Sequence, residues 1–299
     1  MFLINRCVYV YHYLFTLAVP KFYDVKKWLP LALMLVCNMH YSFAQTLRQN
    51  ISMPYIGMGA YTTKQVDVFS FASNQAALAQ TKEAGVGVFG ERRFLLSQIS
   101  NYGLAIALPT TLGNFGLQIN QAGFANFNEQ KLGLAYARSL GAKIDVGVQF
   151  NYYGYKIPAY NSGSTINFEA GAIAHVSEKL NVGIHVYNPV STSFGKQTAE
   201  KLAAAYKFGI GYDASENFYV STEIVKEEDV PVNVTGAVQY HFEKQFFIRA
   251  GFKSDNKTGY AGAGFLYKKL RVDVSSSFHP QLGVSPGLLL MYNFNKKEK

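Results

Sequence analysis

From residue 84 onward, apolar and polar residues alternate with period two in segments of about ten residues, and short stretches rich in Asn, Gly, Ser, Asp or Lys separate one segment from the next. Successive side chains of an extended strand point to opposite faces, so the pattern predicts strands, each with an apolar and a polar side. Fourteen are predicted, near 84–93, 99–109, 114–124, 129–139, 143–157, 164–176, 179–188, 200–213, 217–226, 231–243, 245–253, 258–268, 269–279 and 284–294. The fifth is cleanest: Ile144, Val146, Val148, Phe150 and Tyr152 share one face, and Asp145, Gly147, Gln149 and Asn151 the other. In the seventh, Leu180, Val182, Ile184 and Val186 oppose Asn181, Gly183, His185 and Tyr187.

A soluble sandwich alternates in the same way. Segments of this length, repeated fourteen times, match a tilted bilayer crossing better than the roughly five or six residues of an average soluble strand. Spanning strands must close on themselves, because hydrocarbon offers no partner to an open edge. The expected fold is therefore all-β: a transmembrane antiparallel up-and-down barrel over residues 84–294, followed by a short tail, 295–299. A barrel of this size lies between those that fill themselves with side chains and the water-filled porins, so an internal plug is expected. Residues 45–83 are the only spare material, and a short helix at Asn74–Ala79, capped by Ser73 or Asn74, is expected there.

Composition agrees with a wall that faces lipid and water by turns. Charged residues are 16% and mean hydropathy is +0.01, too few charges for an ordinary soluble domain and too little grease for a helical membrane protein. Lys26 and Lys27 precede the apolar run Trp28–Cys37, and Ser42-Phe43-Ala44 supplies the small residues of a cleavage site, so residues 1–44 read as a signal peptide cut before Gln45. Residues 1–24 precede an otherwise complete leader and are read as an upstream extension, with translation starting at Val25. Cys37 is read as apolar filler; Val36 stands where a lipoprotein signal needs a small residue. Cys7 and Cys37 are the only cysteines, so the exported chain is expected to have no thiol chemistry. The net charge of +9 falls to +6 once the leader, with four basic groups and one acid, is set aside. No basic block interleaved with aromatics tracks a phosphate backbone, and no nucleic-acid partner is expected.

Candidate chemistry is sparse. The six histidines, His12, His40, His175, His185, His241 and His279, form no HxH or HxxxH pair, and neither metal nor cofactor is expected. No Ser/His/Asp arrangement appears at a recognisable spacing, so the chain is not expected to be an enzyme, although a constellation spread across strands would escape this reading. Alternation turns seven charges toward the lumen: Asp145, Glu169, Lys207, Glu223, Arg249, Arg271 and Asp273. Both signs together could hold a plug by ion pairs or line a substrate path.

The segment YIGMGAYTTKQVDVFSFASNQAALAQTKEAGVGVFGERRFLL, residues 55–96, resembles the N-terminal signature of the FadL-like outer-membrane barrels, including the PorV/PorQ family linked to type IX secretion. Gly57, Met58, Gly59 and Ala60 match the family's GMGGA-like turn, Asp67 its acidic position, and Asn74, Ala76, Leu78 and Ala79 its NPAGLA-like helix. Gln75 stands where the family usually has proline, and Ala77 where it usually has glycine. The resemblance implies a fourteen-stranded barrel with an N-terminal hatch in a Gram-negative outer membrane, surrounded by lipid. It also implies passage or binding of a small hydrophobic molecule; the alternative is an accessory barrel holding a secretion-system protein. The chain is short for this family, and long outer loops are not expected.

Overall fold

The computed structural model describes residues 55–124, 127–158, 161–194, 201–243 and 245–294. The predicted signal peptide, residues 45–54 and the tail 295–299 lie outside them. Fourteen strands follow in chain order: β1 (Gly85–Arg92), β2 (Ser100–Thr110), β3 (Gly113–Phe124), β4 (Phe127–Ser139), β5 (Ile144–Ile157), β6 (Asn161–His175) and β7 (Leu180–Tyr187). β8 (Ala205–Asp213), β9 (Phe218–Glu227), β10 (Asn233–His241), β11 (Phe246–Lys253), β12 (Thr258–Tyr267), β13 (Leu270–His279) and β14 (Gly283–Asn293) complete them. Each pairs antiparallel with its neighbours in sequence, and β1 pairs with β14, which closes the barrel.

Alternation translates directly into burial. On β5 the side chains of Asp145, Gln149 and Asn151 are buried in the lumen, while Phe150 is 63% exposed on the outside. Leu134 (62%) on β4 and Phe168 (37%) on β6 flank it. A closed wall that turns its bulkiest apolar residues outward around its circumference is solvated by lipid, not water. No helix among the described residues is long and apolar enough to cross a membrane; the crossing is made by strands. This is an outer-membrane barrel, and it places the chain in the outer membrane of a Gram-negative bacterium.

Gly85 pairs with Asn293, so the barrel begins and ends at one rim. That rim carries only short turns, whereas the two longest connections, 93–99 and 188–204, lie at the other. Short turns face the periplasm in barrels of this kind, so the second rim faces outward.

One strand start and one connection depart furthest from expectation. The eighth strand begins at Ala205 rather than 200, because Leu202 is buried in the cluster of Tyr153, Tyr187 and Phe194 instead of continuing the wall. The 188–204 connection is a long outer loop where none is expected: Phe194 turns inward onto Tyr153 and Tyr155, with ring centroids 5.5 and 5.1 Å apart. Its packing with Tyr187 and Ala205 covers part of the outer mouth.

Candidate functional site

The lumen is filled from the periplasmic side by residues 55–83, and this hatch is shaped by its own side chains. Gly57 adopts φ +81°, a left-handed turn that a side chain would strain. Asp67 Oδ1 accepts from Phe69 N at 2.9 Å and from Ser70 Oγ at 3.1 Å, while Ser70 Oγ accepts from Asp67 N, tying off the 3-10 turn Ser70–Ala72. Asn74 caps a second 3-10 turn, Gln75–Gln80: its Oδ1 accepts from Ala76 N, and its Nδ2 donates to Gly59 O at 2.7 Å. One asparagine thus fastens both halves of the hatch, and a further donation to Ile184 O at 3.2 Å fastens it to β7. Gly57, Met58, Gly59, Ala60, Asn74, Ala76 and Leu78 are buried, and Ala79 is half-buried.

The wall meets this backbone with glycines. A Cβ on Gly147 would lie 2.4 Å from the Gln75 carbonyl carbon, one on Gly183 2.4 Å from Gly59 O, and one on Gly211 2.1 Å from Ala60 O. Gly147→Ala is therefore expected to lift the hatch and destabilise its docking by about 1–3 kcal/mol, as overpacking does. Gly154→Ala on the same strand, whose nearest neighbour is 3.7 Å away, is the silent control. Protease sensitivity of residues 55–83 in the folded barrel reads the difference.

Three carboxylates grip the hatch. Glu223 Oε2 accepts from Gly57 N at 3.0 Å and from Thr235 Oγ1 at 3.1 Å, and Ser221 Oγ donates to Gly57 O. Glu169, fully buried, receives Lys131 Nζ at 2.5 Å, Gln75 Nε2 at 2.7 Å, Asn151 Nδ2 at 2.9 Å and His185 Nε2 at 3.0 Å. Gln75, a departure from the family pattern, spends its side chain on this contact. Asp145 Oδ2 takes Gln80 Nε2 at 2.6 Å and His175 Nε2 at 2.8 Å.

On the opposite arc the signs reverse, and the hatch supplies the acid. Arg271 Nη1 reaches Asp67 Oδ2 at 3.0 Å, while its Nε and Nη2 form a fork on Asp273 at 2.8 and 2.5 Å. Arg249 Nη2 stands 3.7 Å from the same Asp67 oxygen, its guanidinium over the rings of Tyr55 and Phe247. Tyr55 OH donates to Asp67 Oδ2 at 2.9 Å; burial, then the Asp67 charge, push this phenol well above its ordinary pKa, so it stays a donor. Lys207 stands apart from the hatch grip. With Glu223, Asn233 and Thr235 it lines a cavity of about 50 Å³ above Tyr55 and Ser73, room for a water or two. At the periplasmic rim Lys64 Nζ pairs with Glu216 at 2.8 Å, which raises the lysine pKa and lowers that of the glutamate. Both are exposed, so this pair adds little.

Several anchors were not among the residues singled out in the sequence. Lys131 sits on the polar face of β4, where the alternation could have found it. Asn114, whose Nδ2 donates to Leu78 O, Ala79 O and Thr81 O at 2.7 to 3.1 Å, opens a strand like any turn residue and carries no such signal. Tyr219 and Tyr260, which donate to Ala60 O and Ile56 O, likewise read as ordinary aromatic wall residues.

The third arc, around β14, β1 and β2, is apolar. Phe89, Ala105, Ala107, Leu289 and Met291 face Val68, Phe69, Phe71 and Leu78 of the hatch. Phe69 meets Phe89 edge-on at 5.6 Å and occupies the space a side chain on Gly87 would need. The wall is incompletely paired here: the β1–β14 ladder stops at Glu91↔Gly287, leaving Gly283 to Pro286 of β14 beyond it. Segment 93–99 covers that stretch through one bond, Phe94 N to Ser285 Oγ at 3.0 Å. Phe94 and Leu95 both have positive φ, 51° and 59°, a conformation that costs about 1–3 kcal/mol per residue. Leu95 and Leu96 lie exposed. A crevice of about 360 Å³ opens at this seam, lined by lipid-facing Gly90, Tyr102 and Leu288 and by lumen-facing Glu91 and Gly287.

No group of three or more His, Cys, Asp or Glu residues among those described could hold a metal ion. No family model matches the chain, and no curated protein matches it in sequence. Solved structures do match in fold. A monoaromatic hydrocarbon channel, CymD, superposes with TM-score 0.56 at 13% identity, covering 80% of this chain and 95% of the other. A FadL homologue of Pseudomonas aeruginosa gives 0.57 at 10%, covering 80% and 96%. The Pseudomonas putida toluene transporter TodX gives 0.59 at 8%, covering 81% and 100%. The fold is that of the FadL-like channels.

Proposed function

We propose that this barrel is a hatch-closed channel for small apolar molecules, which pass between membrane and lumen at the β1–β14 seam. The observation that carries this reading is the asymmetry of the interior. Two arcs hold the hatch with charges, while the third presents Phe89, Leu289 and Met291 next to the point where the β1–β14 ladder ends. An apolar solute on that side loses no hydration and meets no unpaired charge. Monoaromatic hydrocarbons, the cargo by which two of the similar structures are described, set the size class. The role is transport without a reaction or cofactor. The alternative of an accessory barrel for a secretion partner gains no observation of its own.

Uptake of labelled toluene by cells carrying the barrel in an otherwise tight outer membrane is expected to rise, with glucose uptake unchanged. Oxidation of Phe94→Cys/Ser285→Cys, which pins segment 93–99 to β14, is expected to abolish the gain, and reduction to restore it. Equal entry of sugar and toluene, or undiminished toluene entry with the segment pinned, would overturn the proposal.

A further inference from the structure

The outer face of β3 to β6 changes character along three consecutive rows of paired residues. The lowest, Ile119–Leu132–Tyr152–Ile166, is apolar and ends the lipid-facing surface with a tyrosine. The next, Gln121–Gln130–Gly154–Ser164, is polar, and so is the last, Gly123–Asn128–Lys156–Ser162. These strands are 12 to 15 residues long, against 8 to 11 in the rest of the barrel, so the polar rows stand outward of the greasy belt. Gly154, lacking a side chain, makes a hollow between Gln130 and Ser164, and the groove around it has a volume of about 330 Å³. Tyr152, 52% exposed, forms its lower edge, and Lys156 its upper.

We infer that this groove binds the sugar–phosphate headgroup of an outer-leaflet glycolipid. Position selects the occupant. The row beneath is immersed in acyl chains, so what covers the groove is the layer directly above them, and at the outward rim that layer is glycolipid headgroup. The chemistry fits: amides and hydroxyls match sugar hydroxyls, an exposed tyrosine edge suits a pyranose face, and the Lys156 ammonium suits a phosphate. None of Asn128, Gln130, Lys156, Ser162 and Ser164 is engaged with another side chain among the described residues, so all five are available. The site lies on the wall's outside, away from the hatch and the β1–β14 seam, and is independent of what crosses the lumen.

The test is native mass spectrometry of the intact barrel with rough lipopolysaccharide as probe and phosphatidylglycerol as the competing anionic lipid. The wild type is expected to retain lipopolysaccharide through detergent exchange. Lys156→Met/Gln130→Ala is expected to retain about tenfold less, the size of one charge-assisted hydrogen bond. Lys226→Met, an outward lysine on β9, is the control and is expected to retain as much as wild type. Because these side chains are exposed, folding is not at stake, and heat-modifiable migration on gels verifies it. Equal retention by wild type and the double variant, an equal fall in the Lys226 control, or a parallel loss of phosphatidylglycerol would each overturn the inference.

Discussion

Glu169→Ala is expected to cost the barrel about 3–5 kcal/mol, because it strands the Lys131 ammonium without its counter-charge in a lumen where neither group touches water. For a domain of this size that is a fall of roughly 10 °C in the thermal midpoint. Two further variants separate stability from hatch anchoring. Glu169→Gln keeps the shape but removes the charge, so it is expected to fall nearly as far. Lys131→Met/Glu169→Leu removes both charges and is expected to recover most of the midpoint, since a buried pair often contributes little over a well-packed apolar one. That double variant still lacks the acceptor for Gln75, so residues 55–83 should remain protease-sensitive although the wall is stable again. A Glu169→Ala barrel that melts with the wild type would show that the carboxylate does not organise this arc.

The wall was legible in the sequence because a two-sided strand records its environment at every residue. Wherever one face meets lipid and the other the lumen, as on β5, the period-two pattern gives strand, register and orientation together. The same rule misplaced the start of β8. Leu202 is apolar for a different reason, burial among Tyr153, Tyr187 and Phe194, and alternation cannot distinguish a wall residue from one tucked into the mouth. The hatch was legible only in outline. Asn74 and Gly57 act through local geometry, a cap and a turn, and such features are written in neighbouring residues. The partners that grip them come from strands as much as 166 residues away, as between Gly57 and Glu223. Alternation shows that Glu223 faces inward but not which part of the hatch it meets. Nor does any pattern mark Gly147, Gly183 and Gly211 as a cradle, since a small lumen-facing residue also suits an empty channel.

Hatch release is expected to respond most to Arg271. Among the described residues, its guanidinium is the one group within 3.0 Å of both the hatch acid Asp67 and the wall acid Asp273. Arg271→Ala leaves two carboxylates facing each other in a confined space, with Arg249 offering only contacts of 3.7 and 3.9 Å. A loss of about 3–5 kcal/mol in docking multiplies the open population by roughly two to four powers of ten, so conductance across a planar bilayer should rise in long-lived steps. Arg271→Lys keeps the charge but not the fork, and an intermediate effect is expected. The decisive comparison is between the two acids. Asp67→Asn also removes the acceptor of Tyr55 OH and weakens the cap on Ser70–Ala72, so it should open the channel; Asp273→Asn leaves Arg271 on Asp67 and should open it little. If Asp273→Asn conducts as strongly as Asp67→Asn, the arginine braces the wall, and the hatch is held by the Glu169 and Glu223 arcs alone.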